Sequence, residues 1–333
     1  VSELQQINPA LLAHVVGTEV FIGQTVRSAV ALGGPAAEIL PTVSVLRHPF
    51  DLDSPPPGTA AVAQRLSYYG CLVAESDVDE MQRDRAIAAW SLFGGSPTTV
   101  RTQIAHSSVA ILGLGGVGTA VAVALAKTGV GRFALFDSDC VEEPNLNKSS
   151  IFYKNHIGTP KVDVLAGVLQ DIGCSVSCFQ ETISDYSTLR ERVTHAPDAI
   201  VWAGDNDERA MFLSLACSLS DNGTALVTGG VVEHTIAVGP TLMAGDISVN
   251  SISASHPLGA LEALLRAANR SSINPGTHVA VHLAGNLIAN EVLSVIGACY
   301  APPLRRRVLL LDLSTLDTLV EPFSITNNAI IRR

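Results

Sequence analysis

Gly113-Leu114-Gly115-Gly116-Val117-Gly118 stands between an apolar run, Val109 to Leu112, and a second one from Thr119 to Lys127. Residues without a Cβ let backbone N–H groups approach a phosphate, and a helix that opens in the turn adds its dipole to the attraction. Asp137 follows nineteen residues after Gly118, where the end of the next strand places an acid that accepts ribose hydroxyls. This much suits a nicotinamide dinucleotide and ATP equally, and a tight packing turn is the bland alternative. Lys148, Lys161 and a further carboxylate, Asp205, then follow. Hydride transfer has no use for them. Attack on the α-phosphate of ATP does, because cations stabilise charge developing on the phosphates and a carboxylate holds magnesium.

The elements that must position these groups are read from periodicity. Val109–Leu112, Arg132–Phe136 and Ala199–Ala203 read as strands, and Thr119–Lys127 and Lys161–Leu169 as helices. Strand and helix in alternation predict a doubly wound, mostly parallel sheet of Rossmann type. Ala225–Val227 and Val308–Leu313 read as later strands, and Val279–Ile296 as a long buried helix. Before these, Val15–Gly23 reads as two short strands around a turn, with a third over Arg27–Leu32. Helices over Pro35–Leu46 and Thr59–Ala74 complete a small α+β module, and Asp77–Trp90 reads as an amphipathic linking helix. The expected domains are therefore 1–78 and 79–333.

Composition narrows the function classes. The 333 residues carry 21 Lys+Arg against 31 Asp+Glu, a net charge of −10. Neutralising nucleic-acid phosphates needs clustered basic residues, so no nucleic-acid partner is expected. The stretch from Val109 to Ala126 has no charge, but its glycine cluster fits strand, turn and helix better than a membrane span. Six scattered cysteines include no Cys-x-x-Cys pair, so neither a disulfide framework nor a structural zinc is expected. Of the histidines only His278 and His282 share a helix face, without the glutamate of a zinc protease. With no basic, apolar start of a signal peptide, a cytoplasmic location is the expectation.

The ordered series Gly113 to Gly118, Asp137-Ser138-Asp139, Asn145-Leu146-Asn147-Lys148, Lys161 and Asp205 resembles the family of ThiF/MoeB-type and ubiquitin-activating adenylyltransferases. Arg83-Asp84-Arg85 is similar to that family's Arg-x-x-Arg entry helix, and the small leading module resembles the microcin-C-type branch. That branch adenylates the C-terminal carboxylate of a ribosomal peptide and clamps the peptide with the leading domain. The resemblance implies that Gly113, Gly115, Gly116 and Gly118 face the nucleotide and that Asp137 holds the ribose. It puts Asn145, Lys148 and Lys161 on the phosphates, Asp205 on magnesium, and Arg85 in the partner subunit's site of a homodimer. The cofactors implied are ATP and Mg2+, the partner a precursor peptide, and the product an acyl-adenylate with release of pyrophosphate.

Two departures stand out. Lys148-Ser149 occupies the place of the family's Arg-Gln, and a lysine cannot make arginine's two-pronged planar contact. The family's paired zinc cysteines are missing, which leaves packing to hold the C-terminal lobe. The alternative function is a noncatalytic relative that binds a precursor peptide and presents it to a separate modifying enzyme.

Overall fold

The computed structural model describes residues 3–23, 29–93, 96–183, 185–204, 215–216, 219, 223–246, 276–298 and 300–323. Its contacts divide the chain into two compact units, Val1–Gln103 and Ile104–Arg333.

The first unit opens with β1 (Gln5–Ile7), then β2 (Ala13–Val16), β3 (Glu19–Ile22) and β4 (Val30–Ala31). The last three form one antiparallel sheet in the order β2-β3-β4. Helices α1 (Ala36–Leu46) and α2 (Ala60–Tyr68) cover it, and Val20, Ile22, Leu46 and Leu66 meet in its core. Helix α2 stops earlier than the expected Ala74. Gly70 takes the left-handed conformation (φ +66°) that ends a helix, and Leu72–Ala74 becomes strand β5, paired antiparallel with β1.

The expected helix over Asp77–Trp90 is broken in two, α3 (Glu75–Arg83) and α4 (Arg85–Trp90). At the break Asp84 leaves helical geometry, and its carboxylate accepts the Ala86 N–H at 2.8 Å. Capping thus wins over continued periodicity. These helices and the start of α5 (Pro97–His106) lie with the first unit, beyond the boundary expected at 78/79. Polar contacts from the unit's core reach that far. Buried Asn8 donates to the Ser91 hydroxyl at 2.9 Å, and buried Asp77 accepts from the Thr98 hydroxyl at 2.6 Å.

The second unit is an eight-stranded sheet. Its strands are β6 (Ser108–Leu112), β7 (Arg132–Phe136), β8 (Ser175–Phe179), β9 (Ala199–Trp202) and β10 (Ala225–Val232), followed by β11 (Thr235–Leu242), β12 (Arg307–Asp312) and β13 (Thr318–Pro322). The order is β13-β12-β11-β10-β9-β6-β7-β8, with β10, β9, β6, β7 and β8 mutually parallel and the other three antiparallel. The doubly wound α/β expectation holds. Because β6 has β7 on one side and β9 on the other, strand order reverses beside it, and ligands of such sheets bind at the carboxyl ends there.

Helices α6 (Gly116–Thr128), α7 (Lys161–Ile172) and α9 (His278–Gly297) pack together on one side. On the other, Tyr186 and Leu189 of α8 (Tyr186–Arg192) meet Ala110, Leu112, Ile200 and Leu226. The uncharged stretch from Val109 is thus split into β6, a turn and α6. Helix α9 is the one helix among the described residues long and apolar enough to span a membrane, and here it is a core helix. A Cβ on Gly285 would lie 2.6 Å from that of Ala120, so α9 and α6 touch at small residues.

Glu291 sits on α9 with 2 % exposure, and its Oε2 accepts from the Thr241 hydroxyl at 2.7 Å and the Leu304 N–H at 3.2 Å. Burial pushes its carboxyl above the ordinary range, and the two hydrogen bonds pull only partly against that. An acid with a raised folded pKa gives stability that is fully present below its unfolded pKa and is lost as pH rises through the folded one. Glu291→Gln keeps the acceptor oxygen without the charge. The variant is expected to melt with wild type near pH 4 and several degrees above it near pH 8; a difference in melting temperature that does not change with pH would contradict this.

Candidate functional site

The turn between β6 and α6 is built by its own packing. Gly113 has φ +89°, and a Cβ there would lie 2.8 Å from the Gly204 nitrogen. A Cβ on Gly118 would lie 2.0 Å from the Gly113 carbonyl, and one on Gly116 2.9 Å from the Lys148 carbonyl. Gly115 differs, since among the described residues a Cβ there would meet no atom beyond its own chain neighbours within 4 Å. Three glycines are therefore demanded by the chain itself, and the fourth borders open space at the start of α6. The N-cap of that 13-residue helix is Gly115, which has no side chain to accept from the first turn, so among the described residues its first N–H groups and its dipole face the same space, the arrangement that receives phosphate.

Asp137 ends β7, and its carboxylate fastens the turn. Oδ2 accepts the Leu114 N–H at 2.6 Å, and Oδ1 accepts the Asp139 N–H at 2.8 Å. Lys161 is the first residue of α7 and is 6 % exposed. Its Nζ lies 2.8 Å from Asp139 Oδ2 and 3.8 Å from Asp137 Oδ2. The structure thus brings Asp137 and Lys161 together beside the glycine turn. It adds Asp139, which the sequence places in the same motif without a role of its own.

Lys148 is half-buried. Its carbonyl and Cβ border Gly116, and a Cβ on Gly276, just before α9, would lie 3.8 Å from its Cε. Asn145 is turned to local use: its Oδ1 accepts the Glu142 N–H at 2.9 Å across a single 3-10 turn. Buried Ser149 pairs with the Thr119 hydroxyl of α6 at 3.1 Å. The serine standing in the place of the family's glutamine therefore anchors the loop that carries Lys148. A polar residue next to a candidate cation, aligned with a threonine in the facing helix, was the available signal.

The other expected residues are placed as follows. Arg85 is exposed at the start of α4, in the first unit, and neighbouring Arg83 pairs with Glu80. Asp205 lies outside the described residues. Among the described residues no cluster of three or more His, Cys, Asp or Glu could hold a metal. His278 and His282 stack at 3.9 Å on the first turns of α9. Burial, and then the His278 charge, hold His282 below the usual imidazole range. Burial pushes the thiols of Cys71, Cys174 and Cys178 up, the wrong direction for an activated nucleophile.

The sequence profile of the ThiF family matches residues 84–329. The chain is 30 % identical over 148 residues to ubiquitin-like modifier-activating enzyme 5 of Branchiostoma floridae, covering 40 % of this chain and 36 % of that protein. It is 35 % identical over 102 residues to tRNA threonylcarbamoyladenosine dehydratase of Bacillus subtilis, covering 30 % of this chain and 40 % of that one. The match therefore spans well under half the length of these curated relatives. Among solved structures, E. coli MccB bound to MccA-N7isoAsn superposes with a TM-score of 0.82 at 18 % identity, over 96 % of this chain and 97 % of that one. A structure of the same protein with ATP gives 0.81 at 17 %, again over 96 % and 97 %. The fold is thus shared along almost the whole length.

The contrast among the glycines is directly measurable. Gly118→Ala is expected to cost about 3 kcal/mol or more of stability, as backbone collisions do, while Gly115→Ala leaves the melting temperature near that of wild type. Equal destabilisation by both, in thermal melts, would mean that Gly115 does not border open space.

Proposed function

The chain belongs to the ThiF family, and from that membership we propose that it adenylates a carboxylate of a ribosomally made peptide, with ATP as the donor, in the biosynthesis of a peptide natural product such as an antibiotic. The observation that carries this reading is the open cradle at Gly115, bordered by an uncapped helix start, with the Asp137–Lys161 cluster fastened to the same turn. Phosphates are received at the helix start, and Asp137, with one lone pair left on each oxygen, accepts the ribose hydroxyls. Lys148, Lys161 and the Asn145 NH2 meet the phosphates. A carboxylate oxygen of the peptide attacks the α-phosphorus, the new O–P bond forms as the bond to the β-phosphate breaks, and pyrophosphate leaves. The lysines favour this because charge on the departing pyrophosphate is greater than in the ground state. Magnesium on Asp205, when bound, neutralises phosphate charge.

The peptide would be held by the first unit, residues 1–78 of it being the clamp. Its sheet supports this, because β2 is an edge strand with Val15 and Val16 exposed and backbone groups able to pair with an extended peptide. The likeness to MccB, solved with ATP and with MccA-N7isoAsn, points the same way. In this reading the protein acts in the cytoplasm as a homodimer, with Arg85 reaching the partner's phosphates.

Two observations favour the noncatalytic alternative: Lys161 is already neutralised by Asp139, and the position after Lys148 serves as an anchor. Exchange of labelled pyrophosphate into ATP separates the two. With synthetic candidate precursor peptides, wild type is expected to catalyse peptide-dependent exchange, and Lys161→Met to reduce it about a hundredfold. Peptide and ATP binding without any exchange would leave the presenting role in its place.

A further inference from the structure

Lys161 occupies a position that ordinarily repels a lysine. It opens α7, where the positive end of the helix dipole disfavours a cation, and it is nine-tenths buried, so its ammonium has lost most of its water. A buried charge of this kind is kept only where it is paired. Asp139 supplies the pairing at both ends of the residue. Its carbonyl accepts the Lys161 N–H at 3.0 Å, and its carboxylate accepts from Nζ at 2.8 Å. Two more backbone bonds, Val141 N–H to Thr159 O at 2.8 Å and Gly158 N–H to Val141 O at 2.9 Å, stitch the same two segments together.

The ammonium so held lies 3.8 Å from Asp137 Oδ2, the oxygen that also accepts the Leu114 N–H of the glycine turn. Three groups thus converge on one oxygen's surroundings: the turn, the acid and the lysine. Asp139 itself is two-thirds exposed on its side chain, so it needs no burial of its own to do this. An ammonium has three N–H donors, and its one hydrogen bond among the described residues, to Asp139, leaves the others for a ligand.

We propose that Asp139 is a positioning residue: its carboxylate holds the Lys161 ammonium beside the glycine turn, so that the lysine meets nucleotide phosphate already desolvated and aimed. The proposal rests on reading the turn as a phosphate site. It makes Asp139 a contributor to phosphate binding although it touches no phosphate, and it sets the Asp139–Lys161 pair apart from an ion pair that merely competes with the ligand.

The test is binding of ATP by calorimetry, and of adenosine by ligand-observed NMR, to the full chain. Asp139→Ala is expected to weaken ATP about tenfold, the loss typical of one charge-assisted contact, and to leave adenosine unchanged. Asp139→Glu is expected to restore most of the loss, and Asp139→Ala is expected to add nothing in a Lys161→Met background. Should Asp139→Ala fail to fold, Asp139→Asn keeps the side chain's shape and carries the same comparison. ATP binding as tight as or tighter than wild type in Asp139→Ala would overturn the proposal, and so would an equal loss in the Lys161→Met background or for adenosine. Wild type that binds no ATP would overturn the phosphate reading together with the proposal, whereas a loss on Lys161→Met alone would overturn only the role of Asp139.

Discussion

A single buried ammonium organises the candidate site. Lys161 begins α7, pairs with Asp139 after β7, and lies near the Asp137 oxygen that accepts the Leu114 N–H of the turn after β6. Two strand ends and a helix start are thereby tied at the carboxyl edge of the sheet. Desolvating a lysine is costly, and the cost is offset only if both carboxylates stay where they are. The arrangement is rigid for the same reason that it is expensive, and rigid placement of charge is what phosphate chemistry uses.

Around that anchor the chain makes two further fixed points. Ser149 on Thr119 ties the Lys148 loop to α6, and Gly116 lets the Lys148 backbone come against the helix. Helix α9 then packs on α6 through Gly285 and Ala120, so the face behind the turn is closed by small residues. With the cysteine pairs of zinc-bearing relatives absent from this sequence, buried contacts such as those of Glu291 with Thr241 and Leu304 hold α9 to the antiparallel part of the sheet.

Much of this was legible in the sequence. Strand β6, its turn and α6 could be read because a glycine cluster interrupts an apolar stretch, and Asp137 because an acid ends the next apolar run. Strand β5 could not, since Leu72–Ala74 continues a helical pattern and becomes a strand only through pairing with β1, at the other end of the unit. The break at Asp84 depends on a side chain that caps rather than continues the helix, a choice that periodicity does not register. Asp139 was hidden for a different reason: its partner is 22 residues away in sequence, and only the bridge between residues 137–141 and 158–161 brings the two together. Spacing reveals which groups share a site, whereas tertiary pairing decides which of them hold the others.

On the proposed function this glycine turn serves ATP and not a nicotinamide dinucleotide. Calorimetry of the full chain with ATP and magnesium, set beside NAD, tests it most directly, with Asp205→Ala as the second protein. ATP is expected to bind, NAD is not, and Asp205→Ala is expected to weaken ATP. Binding of NAD in preference to ATP, or of neither nucleotide, would contradict the proposed function.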